Sequence, residues 1–400
     1  MKYLRLLLFP FSLLYGLVVI IRNWCYDAGF FKSYKFAKPV ISIGNLDAGG
    51  TGKSPMTEYL IRLLKDNYKL ATLSRGYGRK TRGYLVAQEG KENQESRTKN
   101  QDKILLTDYS PLTTHHSPLT THHSPLTTHH SLLTTATQIG DEPAQFKRKF
   151  PDITVAVCEN RIEGLRKLLP DHDLIILDDA YQHRAVAPGL SILLFDYNRI
   201  NEPHLLLPAG NLREPFSGRW RAKILIVTKC PEQLSADEQE ALAQKIQPLP
   251  YQHLFFTAVE YQHLQDLEGQ PADLMIDKDT TVFLLTGIAN AKPLAQYLND
   301  CTPYVIHHNY PDHHPFTLKN ITKLAAEFSA CTSQKKIIII TEKDAQRLQV
   351  PWFKSALPAA DQLPVFVMPI SVEFLNDGGR QFNKLIIEYV RKHTTYYSLH

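Results

Sequence analysis

A glycine-rich stretch near the N-terminus carries the clearest chemical signal in the sequence. Residues 47–54 read DAGGTGKS and follow the apolar run VISIG. Glycines let the backbone curl so that its N–H groups point at phosphate oxygens, and the start of the next helix adds a favourable dipole. In such a loop Lys53 reaches the β- and γ-phosphates, and the Ser54 hydroxyl can bind Mg²⁺. The stretch therefore predicts a site for a nucleoside triphosphate.

The loop departs from the Walker pattern at its first position. The pattern asks for glycine where Asp47 stands, although the rest of the motif is intact. The apolar run before it and the helical pattern after it favour a ligand site over an unliganded turn. The residues predicted to bind the nucleotide are Asp47, Ala48, Gly49, Gly50, Thr51, Gly52, Lys53 and Ser54.

Two acids follow a second apolar run. Asp178 and Asp179 come directly after LIIL. Ligands bind beyond the carboxyl ends of parallel strands, and a Walker B acid holds magnesium at this position. The alternative is an ordinary helix N-cap. The pair is therefore a candidate metal site.

Three further motifs are weaker. GDEP contains Asp141 and Glu142, and such a sequence is most often a turn. SRGYGRK contains Arg75 and Arg79, which suit phosphate, although a basic surface turn is equally consistent. His313 lies in YPDHH, where a structural histidine is the common case.

The elements that must position these residues follow from the apolar runs. Runs of strand length begin at residues 40, 70, 153, 174, 191 and 224 and, after a connecting helix, near 254 and at 281, 336 and 364. Strands this apolar on both faces belong in a parallel sheet covered by helices. The pattern predicts an α/β fold, with a P-loop NTPase-like, mostly parallel sheet flanked by helices and a second, smaller α/β domain.

We divide the 400 residues into three parts. Residues 1–35 are the N-terminal membrane-associated helix, 36–235 the P-loop kinase domain, and 236–400 a second α/β domain that closes the active-site cleft. Residues 88–137 are predicted to be a flexible insertion, in which SPLTTHH occurs three times. Its prolines exclude a coiled coil, and we favour a tandem duplication in a solvated loop over a histidine metal site.

The N-terminal segment contains an uncharged apolar run. Leu6 to Ile21 lies between Arg5 and Arg22 and contains Pro10 and Gly16, which we expect to interrupt a straight span. The run is shorter than the roughly 20 residues that cross a bilayer, and no small-residue cleavage site of a signal peptide follows. A helix at the membrane interface is favoured over a buried core helix.

Charge and cysteine content exclude other classes. The net charge of +5 is mild, and no compact run of Lys and Arg indicates nucleic-acid binding. The five cysteines are scattered, which fits a reduced compartment and argues against a disulfide scaffold or a cysteine-based zinc site.

Taken in order, the motifs resemble one family, the tetraacyldisaccharide 4'-kinases of lipid A synthesis. The resemblance rests on VISIGNLDAGGTGKSP, SRGYGRK, GDEP, DDAYQHR, LPAGNLREP, TGIANAKP, YPDHHPF and TEKDAQRL, which span most of the chain. It implies transfer of the γ-phosphate of ATP to the 4'-hydroxyl of a tetraacylated glucosamine disaccharide 1-phosphate, giving lipid IVA and ADP. It also implies a protein at the cytoplasmic face of the bacterial inner membrane.

The resemblance implies roles for the motif residues. Asp141 would accept the hydroxyl proton, paired with His313, and Lys53 would act on the transferred phosphate. A carboxylate raised in basicity by a neighbour can serve as such an acceptor. The Mg²⁺ ligands would be Ser54, Glu142, Asp178 and Asp179, and the contacts to substrate phosphate or nucleotide would be Arg75 and Arg79.

Three residues depart from the family pattern. Ser54 replaces threonine with the same hydroxyl, Tyr181 replaces phenylalanine, and Ala180 replaces a glycine. Ala180 matters if that position needs a positive φ. The repeat insertion lies shortly before Asp141 and puts the order of that loop in question.

Two other function classes remain open from the residues alone. One is a membrane-associated P-loop ATPase switch, although Ala48 stands where many of these carry a second lysine. The other is a soluble small-molecule kinase whose N-terminal helix is core. The lipid kinase that the resemblance implies is favoured over both. An enzyme that acts on the head group of a lipid must come to the bilayer, and the N-terminal segment is predicted to lie there. Oligomeric state and acyl-chain preference are left open.

Overall fold

The computed structural model of the protein describes residues 5, 7–87, 136–348 and 363–397, the last three without their side chains. The SPLTTHH repeats and almost all of the predicted insertion lie outside the described residues. Only positions 136 and 137 of that insertion are described, and they open a short helix.

The described residues form strands and helices that alternate along the chain. The strands are β1 Val40–Asn45, β2 Leu70–Ser74, β3 Leu85–Val86, β4 Thr154–Val157, β5 Leu174–Leu177, β6 Leu190–Asp196, β7 Ile224–Thr228, β8 His253–Tyr261, β9 Thr281–Thr286, β10 Val305–Asn309, β11 Lys336–Thr341, β12 Val365–Met368 and β13 Ile370–Phe374. The α-helices are α1 Phe9–Asp27, α2 Lys53–Leu64, α3 Ala136–Ile139, α4 Asp141–Lys149, α5 Arg161–Leu168, α6 Ala236–Ile246, α7 Lys292–Cys301, α8 Leu318–Ala330, α9 Glu342–Arg347 and α10 Gly378–Tyr397.

Two sheets organise the fold. Nine strands form the large sheet in the order β13-β8-β7-β6-β1-β5-β2-β4-β3, and only the outer pairs β13–β8 and β3–β4 are antiparallel. The small sheet has the order β10-β9-β11-β12 and is parallel throughout. Every residue of β1, β2, β5, β6 and β7 is buried, as expected for strands covered on both faces. The predicted α/β fold with a mostly parallel sheet is confirmed.

The sheets divide the chain at residues other than the predicted boundary near 235. Strand β8 pairs in parallel with β7, so the large sheet continues to Tyr261 before the chain enters the small sheet at β9. The chain then returns, because β13 pairs with β8 and α10 packs Phe382, Ile386 and Val390 into the core under the large sheet. Sequence periodicity along one segment does not report which distant strand it pairs with.

Helix α1 is continuous, which the sequence did not lead us to expect. Pro10 lies in its first turn, where a missing N–H is tolerated, and Gly16 packs against Leu206 without breaking the helix. The helix has 19 residues and is long and apolar enough to cross a membrane, with 17% of its most apolar window buried. It is therefore not a core helix.

Candidate active site

The nucleotide loop predicted at residues 47–54 connects β1 to α2 at the carboxyl edge of the large sheet. Helix α2 begins at Lys53, directly after Gly52, whose φ of 80° is readily adopted by glycine. Three side chains, one from the turn after β6 and two from the end of β7, donate to carbonyls of the loop. Arg199 Nη1 donates to Ala48 O at 2.9 Å, Thr228 Oγ1 donates to Thr51 O at 2.9 Å, and Lys229 Nζ donates to Gly50 O. These hydrogen bonds hold the nucleotide loop on the side that faces β6 and β7.

The two acids after β5 differ in their surroundings. Asp178 is 3% exposed and accepts a hydrogen bond from Thr57 Oγ1 at 3.2 Å. Burial, together with the carboxylates of Glu142 and Asp179, raises the pKa of Asp178 to about 7. Burial and these two carboxylates therefore outweigh the nearby charge of Lys53.

Asp179 lies beside the cations of the site. Its φ is 47°, and both carboxylate oxygens accept from Arg213 Nη1 at 3.1 Å. Lys53 Nζ lies 3.7 Å from Asp179 Oδ1. Burial raises the pKa of Asp179, but Lys53 and Arg213 lower it more, so the pKa lies below its ordinary value. Asp179 is therefore ionised and holds the lysine of the nucleotide loop.

The donor set at this edge fits Mg²⁺ shared with phosphate. Among the residues that the structure describes, no group of three or more His, Cys, Asp or Glu side chains converges as a complete metal site. Yet Asp178 is a fully buried carboxylate next to Glu142 and Asp179, and hard oxygen ligands of this kind suit Mg²⁺, which takes its remaining ligands from water and substrate phosphates.

Asp141 is placed by two turns that pack against each other. It is the first residue of α4 and follows Gly140, whose φ is 95°. A Cβ on Gly140 would lie 2.8 Å from Tyr77 O, and one on Gly76 would lie 2.6 Å from Ile139 O. SRGYGRK and GDEP therefore fit together only because both positions are glycine.

Asp141 faces a histidine and an arginine from the small sheet. Its Oδ2 lies 3.1 Å from His313 Nδ1 and accepts from Arg347 Nε at 2.8 Å. Burial raises the pKa of Asp141, but the hydrogen bond from His313 and the charge of Arg347 lower it more, and the pKa lies below the ordinary value. Both neighbours therefore favour the ionised form of Asp141 and do not raise the basicity of its carboxylate.

His313 occupies a strained turn after β10. Its φ is 59°, a region that residues other than glycine rarely adopt. Lys343 Nζ lies 3.2 Å from His313 Nε2 and 3.7 Å from Glu142 Oε1. Arg347 also donates to Gly287 O at 2.6 Å. Residues after three strands of the small sheet therefore converge on the first turn of α4.

Near Asp178 and the predicted Arg75 lie two residues that were not identified from the sequence, the buried Arg161 and the half-buried His183. Arg161, the first residue of α5, is 3% exposed, and burial lowers its pKa to about 10. Among the described residues its Nε has no hydrogen-bond partner, and neither has the buried Nε2 of His183. Burial, followed by Arg161 and Arg75, lowers the pKa of His183 to about 4. A buried guanidinium N–H without a partner, beside an exposed Arg75, suits an anionic ligand.

Arg79 lies in a different environment from Arg75. Its side chain is 3% exposed, and Nη2 contacts Glu159 at 2.5 Å and Gly83 O at 2.7 Å. These contacts tie the end of SRGYGRK to the turn after β4. The structure therefore brings Arg75, but not the guanidinium of Arg79, towards the other candidate residues.

Both departures in DDAYQHR are accommodated. The positive φ in this turn belongs to Asp179 and not to Ala180, so a Cβ at residue 180 is tolerated. The Tyr181 hydroxyl donates to Gly218 O at 2.8 Å inside the core, which gives the added oxygen a partner.

Several site residues carried no sequence signal of their own. Arg213, Lys343 and Arg347 lie within LPAGNLREP and TEKDAQRL, to which the resemblance assigned no role. Each follows the carboxyl end of a strand, β6 or β11, and that position is the signal which would have found them.

Comparison with known proteins identifies relatives along the whole chain. The sequence model of the family LpxK, tetraacyldisaccharide-1-P 4'-kinase, matches residues 4–103 and 119–390. A tetraacyldisaccharide 4'-kinase of Phocaeicola vulgatus is 39% identical over 398 residues, covering 97% of this chain and 95% of the relative. A protein of the same name from Bacteroides thetaiotaomicron is 38% identical, covering 97% of this chain and 93% of the relative.

A solved structure has the same fold. It is a crystal structure described as the "apo" form of LpxK from Aquifex aeolicus in complex with ATP. The two structures superpose with a TM-score of 0.66 at 26% sequence identity, covering 97% of this chain and 99% of the other.

Proposed function

The chain belongs to the LpxK family of tetraacyldisaccharide-1-P 4'-kinases, and from this premise we propose how its residues carry out the reaction. The protein is an ATP-dependent kinase of lipid A biosynthesis that acts on a lipid disaccharide phosphate. The observation that carries the proposed roles is the contact of Asp141 Oδ2 with His313 Nδ1 at 3.1 Å, next to the nucleotide loop and its acids.

Asp141 accepts the proton of the attacking 4'-hydroxyl. Its lowered pKa means that it is ionised at neutral pH and free to accept. A weak base is sufficient, because phosphoryl transfer proceeds through a loose transition state and the hydroxyl becomes acidic as its oxygen bonds to phosphorus. His313 and Arg347 orient the carboxylate and keep it charged until then.

The nucleotide loop binds the phosphates of ATP. Backbone N–H groups of residues 49–54 and the Lys53 ammonium contact the β- and γ-phosphates, and the glycines let the backbone approach them. Asp179 orients Lys53 through their 3.7 Å contact. The loop thereby places the γ-phosphate at the carboxyl edge of the sheet.

Ser54, Asp178, Asp179 and Glu142 are the residues that would hold Mg²⁺. The metal would neutralise charge on the β- and γ-phosphates as the P–O bond breaks. The raised pKa of Asp178 supports this assignment, because burial and the carboxylates of Glu142 and Asp179 outweigh the charge of Lys53.

Arg75, Arg161 and His183 form a site for a second anionic group, which we assign to the 1-phosphate of the disaccharide or to the nucleotide phosphates. Two of these side chains have buried N–H or ring nitrogen atoms without a partner. Planar guanidinium groups bind phosphate oxygens in pairs, which fixes both position and orientation.

Helix α1 brings the protein to the bilayer. Its apolar side chains, among them Leu13, Leu14 and Leu17, are 60%, 62% and 55% exposed. Exposed apolar area of this kind on a helix suits a membrane interface. We place the protein at the cytoplasmic face of the inner membrane, as a peripheral or monotopic protein, since ATP is supplied on that side.

Transfer of labelled phosphate tests the function. Detergent-solubilised protein is incubated with γ-labelled ATP and the tetraacyl disaccharide 1-phosphate, and the label is followed into lipid. We expect labelled lipid that depends on Lys53, with Lys53→Met as the inactive control. Hydrolysis of ATP without labelled lipid would instead indicate an ATPase switch and would contradict the proposal.

A further inference from the structure

Helix α1 has two faces with different surroundings. One face is apolar and exposed, and it includes Leu14 and Leu17. The opposite face contains Ser12 and Gly16, which are buried against residues 205–214, a segment that we call the bridging hairpin. Attachment to a bilayer requires the first face only. The second face therefore needs a separate explanation.

The second face is joined to the bridging hairpin by specific hydrogen bonds. The Ser12 hydroxyl donates to Leu206 O at 3.0 Å and accepts from the N–H of Ala209 at 2.8 Å. The Tyr15 hydroxyl donates to Arg213 O at 2.7 Å. These side chains lie one helical turn apart on the same face and hold two points of the hairpin.

The bridging hairpin is a loop that is closed on itself by a parallel bridge between Leu206 and Leu212. The N–H of Leu207 donates to Leu212 O at 2.9 Å, and the N–H of Leu212 donates to Leu205 O at 3.1 Å. A side chain at Gly210 would overlap Leu205 O, at 1.9 Å, so the turn is as tight as a backbone allows. A displacement at one point of such a closed hairpin is passed to the others.

The far side of the hairpin holds the nucleotide loop. Asn211 O accepts from the N–H of Ala48 at 2.7 Å, and the N–H of Arg213 donates to Leu46 O at 2.7 Å. Asp47 lies between these two bonds in an antiparallel bridge with Leu212. The first residues of the phosphate loop therefore take their backbone position from the hairpin.

We propose that α1 is a positioning element of the nucleotide site, in addition to any role at the membrane. Ser12 and Tyr15 hold the bridging hairpin, and the hairpin holds Ala48 and Leu46 at the start of the phosphate loop. The inference rests on the proposed nucleotide site but not on membrane docking. It predicts that affinity for ATP depends on a helix that does not touch ATP.

The double variant Ser12→Ala/Tyr15→Phe tests the inference in the full chain in detergent. Loss of two or three partly buried hydrogen bonds should raise both the Kd and the KM for ATP by roughly five- to tenfold. We expect kcat at saturating ATP to stay within about twofold, because the catalytic groups are unchanged. Sedimentation with vesicles of phosphatidylethanolamine and phosphatidylglycerol should match the wild type.

The exposed face of the same helix supplies the matched control. Leu14→Ser/Leu17→Ser should weaken sedimentation with those vesicles and leave the Kd for ATP in detergent unchanged. The variant Ser12→Thr/Tyr15→Phe keeps a hydroxyl at residue 12. It should recover about half of the affinity for ATP that Ser12→Ala/Tyr15→Phe loses, measured on a logarithmic scale. That recovery separates positioning from a general loss of stability.

An unchanged Kd for ATP in Ser12→Ala/Tyr15→Phe would overturn the inference alone. Failure of the wild type to bind ATP would overturn the proposed nucleotide site and the inference together. If the double variant does not fold, Tyr15→Phe alone is measured, and we expect a two- to threefold rise in Kd from the single lost bond. No rise there would also overturn the inference.

Discussion

Two aspartates at the site, the partly buried Asp141 and the buried Asp178, have opposite electrostatic surroundings. Burial raises the pKa of both. For Asp141 the hydrogen bond from His313 and the charge of Arg347 outweigh burial, and the pKa lies below its ordinary value. For Asp178 the carboxylates of Glu142 and Asp179 add to burial, and the pKa is about 7. The surroundings favour the ionised carboxylate at Asp141 and disfavour it at Asp178.

The difference follows from which sheet supplies the neighbours. Arg347 and His313 reach Asp141 from elements of the small sheet, whereas Glu142, Asp179 and Thr57 surround Asp178 from the large sheet. The neighbours of Asp141 favour its ionised form, whereas at Asp178 the charge of Lys53 does not outweigh burial and the two carboxylates. We infer that Asp141 is a ready proton acceptor and that Asp178 is a metal ligand.

The largest expected effect comes from removing the charge of Asp178, and it is on the rate of phosphoryl transfer. Asp178→Asn keeps an oxygen that accepts from Thr57 but removes the charge that would bind Mg²⁺. We expect kcat to fall by roughly a thousandfold, since charge neutralisation in phosphoryl transfer is worth several kcal/mol. Steady-state transfer at saturating Mg²⁺ and lipid measures the change. A fall of less than about tenfold would remove Asp178 from the metal site.

Replacement of each aspartate by asparagine should change the free energy of unfolding of the unliganded protein, with opposite sign at the two positions. The folded pKa of Asp178, about 7, lies above the ordinary value of 3.8, so stability is lost as the pH rises from about 4 to about 7. Asp178→Asn should therefore stabilise the unliganded protein at pH 8, by on the order of 2 kcal/mol.

Asp141 should behave in the opposite way. Its folded pKa is lowered, so its contribution is present above the unfolded pKa and is lost as the pH falls through the folded pKa. Asp141→Asn should destabilise the unliganded protein at pH 8 by about 1 kcal/mol. Thermal unfolding of both variants in parallel measures the pair. Shifts of the same sign would contradict the contrast.

A smaller effect is expected on the pH dependence of kcat/KM for the lipid. Arg347→Gln removes a cation that contacts Asp141 at 2.8 Å. The pKa of Asp141 should then rise, and the acid limb of kcat/KM for the lipid should move to higher pH by about one unit. His313→Gln, which keeps a donor near the carboxylate, is the control with a smaller shift. An acid limb that stays in place would mean that Asp141 is not the titrating group.

The smallest effect concerns the insertion before Asp141. Deletion of residues 110–130 should leave kcat within about twofold, because loops tolerate changes of length at small energetic cost. The same transfer assay measures it. A large loss would show that the repeats help to place Asp141, which would make its surroundings depend on more than the small sheet.

Much of the site was predictable because its parts are local in sequence. The phosphate loop, with Lys53 and Ser54, needs only a strand, a turn and a helix in succession, and Asp178 and Asp179 need only the end of an apolar strand. The pairing of Asp141 with His313, 172 residues apart, came from the resemblance, and the structure brings the two side chains together.

The rest depended on long-range packing that local pattern does not encode. Arg347 and Arg161 look like ordinary helix residues, and only the convergence of strand ends places them at the site. For the same reason the lowering of the pKa of Asp141 by its contacts with His313 and Arg347 could not be read from local sequence. Strands β8 and β13 pair within the large sheet and α10 packs against it, and sequence periodicity does not predict such long-range contacts.

The central claim, that Asp141 accepts the proton and takes no part in holding the nucleotide, is tested most directly by Asp141→Asn. The Kd for ATP and the rate of transfer to lipid are measured on the same preparation. The predicted result is a Kd within about twofold of the wild type and a transfer rate lower by roughly 10²- to 10⁴-fold. Transfer near the wild-type rate would contradict the claim.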